Sequence, residues 1–281
     1  MRVSSFEQIG SFGRFAQMCL LFFCENHDRS DQGPAFTSIA YGNRSNQFKI
    51  PLFEKPKDIL VRGKFSAQYK YILFDLDDTL YPREAGVMEA IIERILLYMT
   101  HKVNIPPDDV STKRHHYHQN YGTALRGLMT EYNIEPSEFL DFVHDINPAD
   151  FFGASPPLDR MLAAIPLRKV IFTNSDIAHS ERVLQTLRVR DHFEQIFDIR
   201  AVNFISKPDP IAYQHVLSAL GVSGYECIMV EDSPRNLIPA KDLGMRTILI
   251  GQNGDSSAID HMVPTVFHVE RILANFLVMG G

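Results

Sequence analysis

Tyr71-Ile72-Leu73-Phe74-Asp75-Leu76-Asp77-Asp78-Thr79 decides how this chain is read. Four consecutive apolar residues end abruptly on carboxylates. A short run with no polar alternation is what a central parallel strand needs when both of its faces are covered. The pattern recurs downstream. Val170-Ile171-Phe172 leads into Thr173-Asn174-Ser175, and Ile228-Met229-Val230 leads into Glu231-Asp232-Ser233. Thr247-Ile248-Leu249-Ile250, closed by Gly251, is a further strand, and Phe197-Asp198-Ile199 reads as a short additional one.

Helical patterns separate these runs. Ser180–Leu187 carries apolar Val183, Leu184 and Leu187. Asp209–Leu220 has Pro210 in its first turn and stops at Gly221, while Ser233-Pro234 opens a segment closing at Gly244. Ser233 is the expected N-cap there, and Pro239 is expected to kink the helix or end its first half. Strands alternating with helices specify an α/β fold with a parallel sheet. Ligands of such sheets bind beyond the carboxyl ends of the strands, where the acidic and hydroxyl-bearing segments fall.

Residues 85–154 break the rhythm. Met88, Ile91, Ile92, Ile95 and Met99 recur at helical spacing, and Pro107-Asp108-Asp109, Thr123–Tyr132 and Pro136-Ser137-Glu138 mark further helices. This is a helical cap inserted after the first strand and expected to lie over the strand ends. The core is expected over 67–84 and 155–252, with 253–281 packing on it. Residues 1–66, rich in Gly, Ser, Asn and Gln between Ser30 and Asn46, read as an extension that is disordered or serves targeting.

Composition narrows the function. The chain has 281 residues, 45% of them hydrophobic, and a net charge of −6. That balance argues against nucleic acid as the main partner. No apolar run is long enough for a membrane span. Cys19, Cys24 and Cys227 form neither a disulfide framework nor a metal-ligand pattern, so a cytoplasmic, reducing location is expected.

Asp75 and Asp77 are two residues apart and therefore point the same way from an extended strand. Two carboxylates facing one pocket repel unless they share a proton or a cation. An all-oxygen ligand set beside a phosphate favours Mg²⁺. A carboxylate nucleophile, a second carboxylate, the Thr173 hydroxyl, Lys207 and the Glu231-Asp232 pair make a complete set for metal-assisted phosphoryl transfer. His144 and His179 read as structural hydrogen-bonding histidines. His115-His116-Tyr117-His118 reads as a solvated helix face, because adjacent histidines point to different sides of a helix.

Asp75-Leu76-Asp77-Asp78-Thr79-Leu80, Thr173-Asn174-Ser175, Lys207-Pro208-Asp209-Pro210 and Val230-Glu231-Asp232-Ser233 resemble, in order, the four motifs of the haloacid dehalogenase-like hydrolases. The resemblance covers about Lys70 to Gly251. It implies a Rossmann-like core with a cap and an aspartyl-phosphate mechanism. In that scheme Asp75 attacks phosphorus, and Asp77 protonates the leaving oxygen and then activates water. Thr173, with backbone help from Asn174, holds the phosphoryl oxygens, and Lys207 balances the negative charge of nucleophile and phosphate. Asp75, the Asp77 carbonyl and Asp232 ligate Mg²⁺, with Glu231 ligating through water or standing behind them. The second aspartate resembles the phosphatases rather than the carbon–halogen-cleaving members.

A narrower likeness is to the pyrimidine 5′-nucleotidase branch. It rests on Asp75 to Pro82, Tyr121 to Leu128, Phe142 to Ile146 and Thr173 to Asp176. It implies a nucleoside 5′-monophosphate substrate, with Tyr121, Thr123 and Arg126 as candidate contacts to the nucleoside. Members of the branch commonly have Asn where this chain has Asp78 and Gly where it has Ser175; neither change removes a catalytic group. The alternatives are another small ester, such as pyridoxal phosphate, phosphoglycolate or a sugar phosphate, and a non-catalytic binding protein on the same fold.

Overall fold

A computed structural model describes residues 69–251 and 257–277. The extension, with Cys19 and Cys24, lies outside them. Six parallel strands form one sheet in the order β3-β2-β1-β4-β5-β6. They are β1 (Tyr71–Phe74), β2 (Arg168–Phe172), β3 (Gln195–Phe197), β4 (Cys227–Glu231), β5 (Arg246–Ile250) and β6 (His261–Val263). The central strands are buried on both sides. Tyr71 and Leu73 of β1 join one apolar cluster with Val170, Phe172 and Met229. Ile72 and Phe74 join the opposite one with Ile171, Ile228 and Val230. Alternate residues thus feed two cores, which is why these strands carry no polar positions.

Helices α7 (Pro210–Leu220) and α8 (Pro234–Asp242) cover the first face through Tyr213, Val216, Leu237 and Ala240. Helices α5 (Pro156–Ala164), α6 (Ile177–Leu187) and α9 (Val269–Leu277) cover the second through Leu158, Leu162, Val183, Leu184, Val269 and Leu273. Between β1 and β2 stand α1 (Val87–His101), α2 (Pro107–Tyr121), α3 (Ala124–Tyr132) and α4 (Pro136–Val143). Thr123 precedes α3 rather than belonging to it, and its side chain accepts the Arg126 N–H at the helix start. Among the described residues no helix is long and apolar enough to cross a membrane.

Three local expectations need correction. The third strand ends at Phe197 rather than Ile199, because Asp198 leaves the ladder and accepts the N–H groups of Ile177 and Ala201 at 3.0 and 2.8 Å. Ser233 occupies the N-cap position of α8 but makes no side-chain capping bond; Glu231 instead receives Asn236 Nδ2 at 2.9 Å and the Ser233 N–H at 3.4 Å. Helix α8 also runs on through Pro239, so the proline does not end its first half. Leu237, Pro239 and Ala240 are all buried, and that packing outweighs the one backbone bond a proline removes.

Candidate active site

The register of the sheet brings the sequence segments together. Phe74 pairs with Ile171 on one side and Val230 on the other, so Asp75, Thr173 and Glu231 emerge at neighbouring strand ends. The Asp75 N–H still bonds to Val230 O at 2.9 Å, which extends the ladder and fixes the carboxylate's exit point.

Lys207 ties this level together from its own loop. Its ammonium is 1% exposed and donates to Asp75 Oδ1 at 2.7 Å, Glu231 Oε2 at 2.7 Å and Phe172 O at 2.8 Å. A lysine has three donors, and all three are used. The Asn174 side chain grips the lysine backbone from both directions, accepting its N–H at 2.8 Å and donating to its carbonyl at 3.1 Å. The amide of Asn174 therefore aims Lys207, whereas the resemblance gave Asn174 a backbone role toward phosphate. Gly122, between α2 and α3, adopts φ +88°, and a Cβ there would sit 2.9 Å from Ser206 Oγ and 3.0 Å from Lys207 O. The helical insert thus rests directly on the loop that carries the lysine.

Asp77 has a separate set of partners. His179 Nε2 lies 2.7 Å from Oδ1, the Tyr81 hydroxyl donates to the same oxygen at 2.6 Å, and Ser175 Oγ donates to Oδ2 at 2.5 Å. An ionised carboxylate only accepts, so Nε2 carries the hydrogen. Burial opposes ionisation of Asp77, but His179, Ser175 and Tyr81 together hold it well below the usual carboxylate range. His179 is fully buried at the start of α6, where Asp176 caps the helix by accepting the His179 N–H at 2.8 Å. Its ring stacks on His144 at 4.8 Å between centroids, and His144 Nδ1 lies 3.3 Å from Asp176 Oδ1. The reading of His179 as merely structural is therefore incomplete, because it touches the second aspartate. The signal was available: His179 falls in the first turn after a strand-end motif, where ligand-facing groups concentrate.

The remaining acids crowd one another. Burial and Glu231 push Asp75 up to about 7, against the pull of Lys207. Burial, then Asp75 and Asp78, raise Asp232 to about 7. Burial raises Glu231 to about 7, with Lys207 opposing and Asp232 adding to the rise. Burial and Asp77 raise Asp78 to about 7, and its buried Oδ1 has no hydrogen-bond partner among the described residues. Carboxylate oxygens of Asp75, Glu231 and Asp232 lie within 4.8 Å of one another. One lysine does not balance this charge, and a hard dication such as Mg²⁺ fits the oxygen-only set. In this cluster Glu231 stands beside Asp75 and Asp232, while the Asp77 side chain is turned to His179.

Above the acids lies a cavity of about 540 Å³. Asp75, Asp77, Thr173 and Asp232 line its floor, and Met88, Ile92 and Leu125 line an apolar wall on the insert. Thr173 is 1% exposed, and its Oγ1 accepts the Ser175 N–H at 3.0 Å, leaving the hydroxyl hydrogen to donate. Of the three residues named for the nucleoside, Thr123 is on the cavity wall. Arg126 instead pairs with Asp209 at 3.2 Å, bridging insert and core. Tyr121 packs against Tyr117 and His116. The solvated face expected for His115 and His118 is corrected in part: both are exposed, yet both line the cavity mouth.

Residues 69–244, which contain all four segments, match the model of the haloacid dehalogenase-like hydrolases, and the chain belongs to that family. The chain is 24% identical over 196 residues to Phosphate metabolism protein 8 of Saccharomyces cerevisiae, covering 64% of this chain and 61% of the yeast protein. It is 23% identical over 198 residues to the phosphoglycolate phosphatase of Rhodospirillum rubrum, covering 64% and 79%. The structure of a HAD phosphatase from Thermococcus onnurineus superposes with a TM-score of 0.52 at 21% identity, over 73% of this chain and 97% of that one; this likeness is one of fold.

Proposed function

We propose that this hydrolase is a Mg²⁺-dependent phosphatase acting on phosphate monoesters through an aspartyl phosphate on Asp75, with pyrimidine nucleoside 5′-monophosphates as its substrates. The observation that carries the reading is the second carboxylate. Asp77 lines the same cavity as Asp75 and is oriented by three donors. Cleavage of a carbon–halogen bond has no leaving oxygen to protonate, whereas cleavage of a phosphate ester does.

Residues 85–154 act as a cap that shelters the cavity from water. Asp75 Oδ attacks phosphorus as the ester P–O bond breaks. A phosphoryl dianion entering the cavity raises the proton affinity of Asp77 against the effect of His179, so Asp77 takes up a proton from solvent as substrate binds. The leaving oxygen takes that proton from Asp77. In the second step Asp77 accepts a proton from water as that water attacks phosphorus. The bond to Asp75 then breaks and inorganic phosphate leaves. Lys207 holds Asp75 in place and offsets its charge, while the Thr173 hydroxyl donates to a phosphoryl oxygen. A dication held by Asp75, Asp232 and Glu231 would neutralise the carboxylates and the transferring group.

The pyrimidine assignment rests on the likeness of Tyr121 to Leu128 and Phe142 to Ile146 to the nucleotidase branch and on the apolar cavity wall. The Rhodospirillum relative favours a second reading, a small acidic ester such as phosphoglycolate. Phosphate release from UMP, CMP, AMP, GMP, pyridoxal phosphate and phosphoglycolate, with Mg²⁺ and with EDTA, tests both. Highest kcat/KM on UMP and CMP supports the nucleotidase reading, and highest kcat/KM on phosphoglycolate replaces it with the second.

A further inference from the structure

The cavity is lined by groups of both signs. Beside the acids it carries Arg114, His115 and His118 from α2 and Arg235 from the first turn of α8. Arg114 is half-buried and makes no hydrogen bond or ion pair with any described residue. Arg235 spends its Nη1 on His118, donating to the backbone carbonyl at 2.8 Å and lying 3.2 Å from Nδ1. That contact needs Nδ1 as the acceptor, which leaves the Nε2 hydrogen of His118 for another partner.

These groups crowd one another without an acid to offset them. Burial alone holds Arg114 below its ordinary value, with no carboxylate acting on it. Burial, then Arg235, Arg114 and His115, depress His118. Among the described residues no carboxylate forms an ion pair with Arg114, His118 or Arg235, and none offsets the cations acting on His118. Withdrawing a guanidinium from water without a partner costs free energy, and an arriving anion removes that cost. Apolar Met88, Ile92 and Leu125 in the same lining suit the uncharged body of a molecule that meets both the acids and the basic group.

We propose that the substrate carries a second anionic group, a carboxylate or a phosphate, away from the scissile ester, and that Arg114 with His118 and Arg235 receives it. This rests on the phosphatase reading and narrows it. A nucleotide would bear the extra acid on its base or at a further sugar hydroxyl, and a small ester would be a phosphorylated acid.

Matched pairs test the proposal. Uridine 3′,5′-bisphosphate and orotidine 5′-monophosphate are each compared with UMP, and 3-phosphoglycerate with glycerol 3-phosphate, by phosphate release under Mg²⁺. The two-acid member is expected to win by at least about tenfold in kcat/KM, mainly through KM, as a charge-assisted bidentate contact implies. Arg114→Gln is expected to bring that ratio to about one. Preference in the bisphosphate pair alone identifies a phosphate, and preference in the two carboxylate pairs identifies a carboxylate. Equal rates within every pair overturn the proposal. So does an Arg114→Gln variant that slows both members equally and keeps the ratio, because Arg114 would then serve the scissile phosphate. p-Nitrophenyl phosphate, which has no second acid, reports the underlying chemistry separately. If it is not turned over, calorimetric binding of the same pairs to wild-type and Arg114→Gln protein decides the question: tighter two-acid binding that depends on Arg114 supports the proposal, and equal binding sinks it.

Discussion

Replacing His179 gives the sharpest test of how Asp77 is prepared. His179→Ala removes the 2.7 Å contact to Asp77 Oδ1 but leaves Tyr81 and Ser175 in place. In the substrate complex Asp77 carries its proton, and the His179 N–H stabilises the carboxylate that forms as the proton leaves; a hydrogen bond to a charged group is worth about 1.5–3 kcal/mol, which corresponds to between about tenfold and about 150-fold in kcat. A whole general acid contributes roughly 10²–10⁴, so the variant should retain part of that advantage. The assay is kcat on UMP, whose alkoxide leaving group needs the proton, beside p-nitrophenyl phosphate, whose phenolate barely does. The account predicts a loss in the range above for UMP and little loss for the aryl ester. His179→Gln, which keeps an N–H donor, should recover much of the UMP rate. Urea unfolding of both variants controls for the loss of a fully buried ring stacked on His144. Equal losses on both esters, or no difference between Ala and Gln at matched stability, would refute the reasoning.

Further predictions concern neighbouring contacts. Ser175→Ala removes the 2.5 Å bond to Asp77 Oδ2 and should lower kcat on UMP more than on p-nitrophenyl phosphate, by less than the histidine change. Gly122→Ala should destabilise the protein by about 1–3 kcal/mol in urea titrations, from overpacking against Ser206 and Lys207 and from its positive φ; unchanged stability would mean the insert does not press on this loop. Asp260 gives a pH test. Burial works against its charge, but Lys241 Nζ at 2.5 Å and the Thr247 N–H at 3.0 Å hold its pKa below the ordinary value. A depressed folded pKa stabilises above the unfolded value of about 3.9, and the stabilisation disappears as pH falls through the folded value. Asp260→Asn should therefore lower thermal stability at neutral pH and flatten the acid limb below about pH 4.

The strands at the centre of the sheet were legible because burial on both faces leaves an uninterrupted apolar run. Tyr71–Phe74 and Cys227–Glu231 have no exposed residue to blur the pattern. β6 was not legible. It is a three-residue edge strand, His261–Val263, and Met262 is exposed, so neither a run nor an alternation exists to read. The acids could be assigned to one site from strand ends alone, since the parallel register fixes their level. That Ser175 and His179 stand near the strand ends could be read as well, but their bonds to Asp77 could not. Ser175 and His179 lie 98 and 102 residues away, and only the folded sheet brings them near. The cavity-facing side of α2 was hidden for a related reason. That helix is polar nearly all round, with only Val110 and Tyr117 buried, so its periodicity does not tell solvent from cavity.

The most direct test of the account is to locate the covalent phosphate. Protein mixed with UMP and Mg²⁺ is quenched in acid within the first turnover, digested and analysed by mass spectrometry. The account predicts a hydroxylamine-labile phosphoryl group on the peptide containing Asp75, absent in Asp75→Asn and in EDTA. Phosphate release at the wild-type rate with no phosphoryl group on Asp75, or labelling that persists in Asp75→Asn, would contradict it.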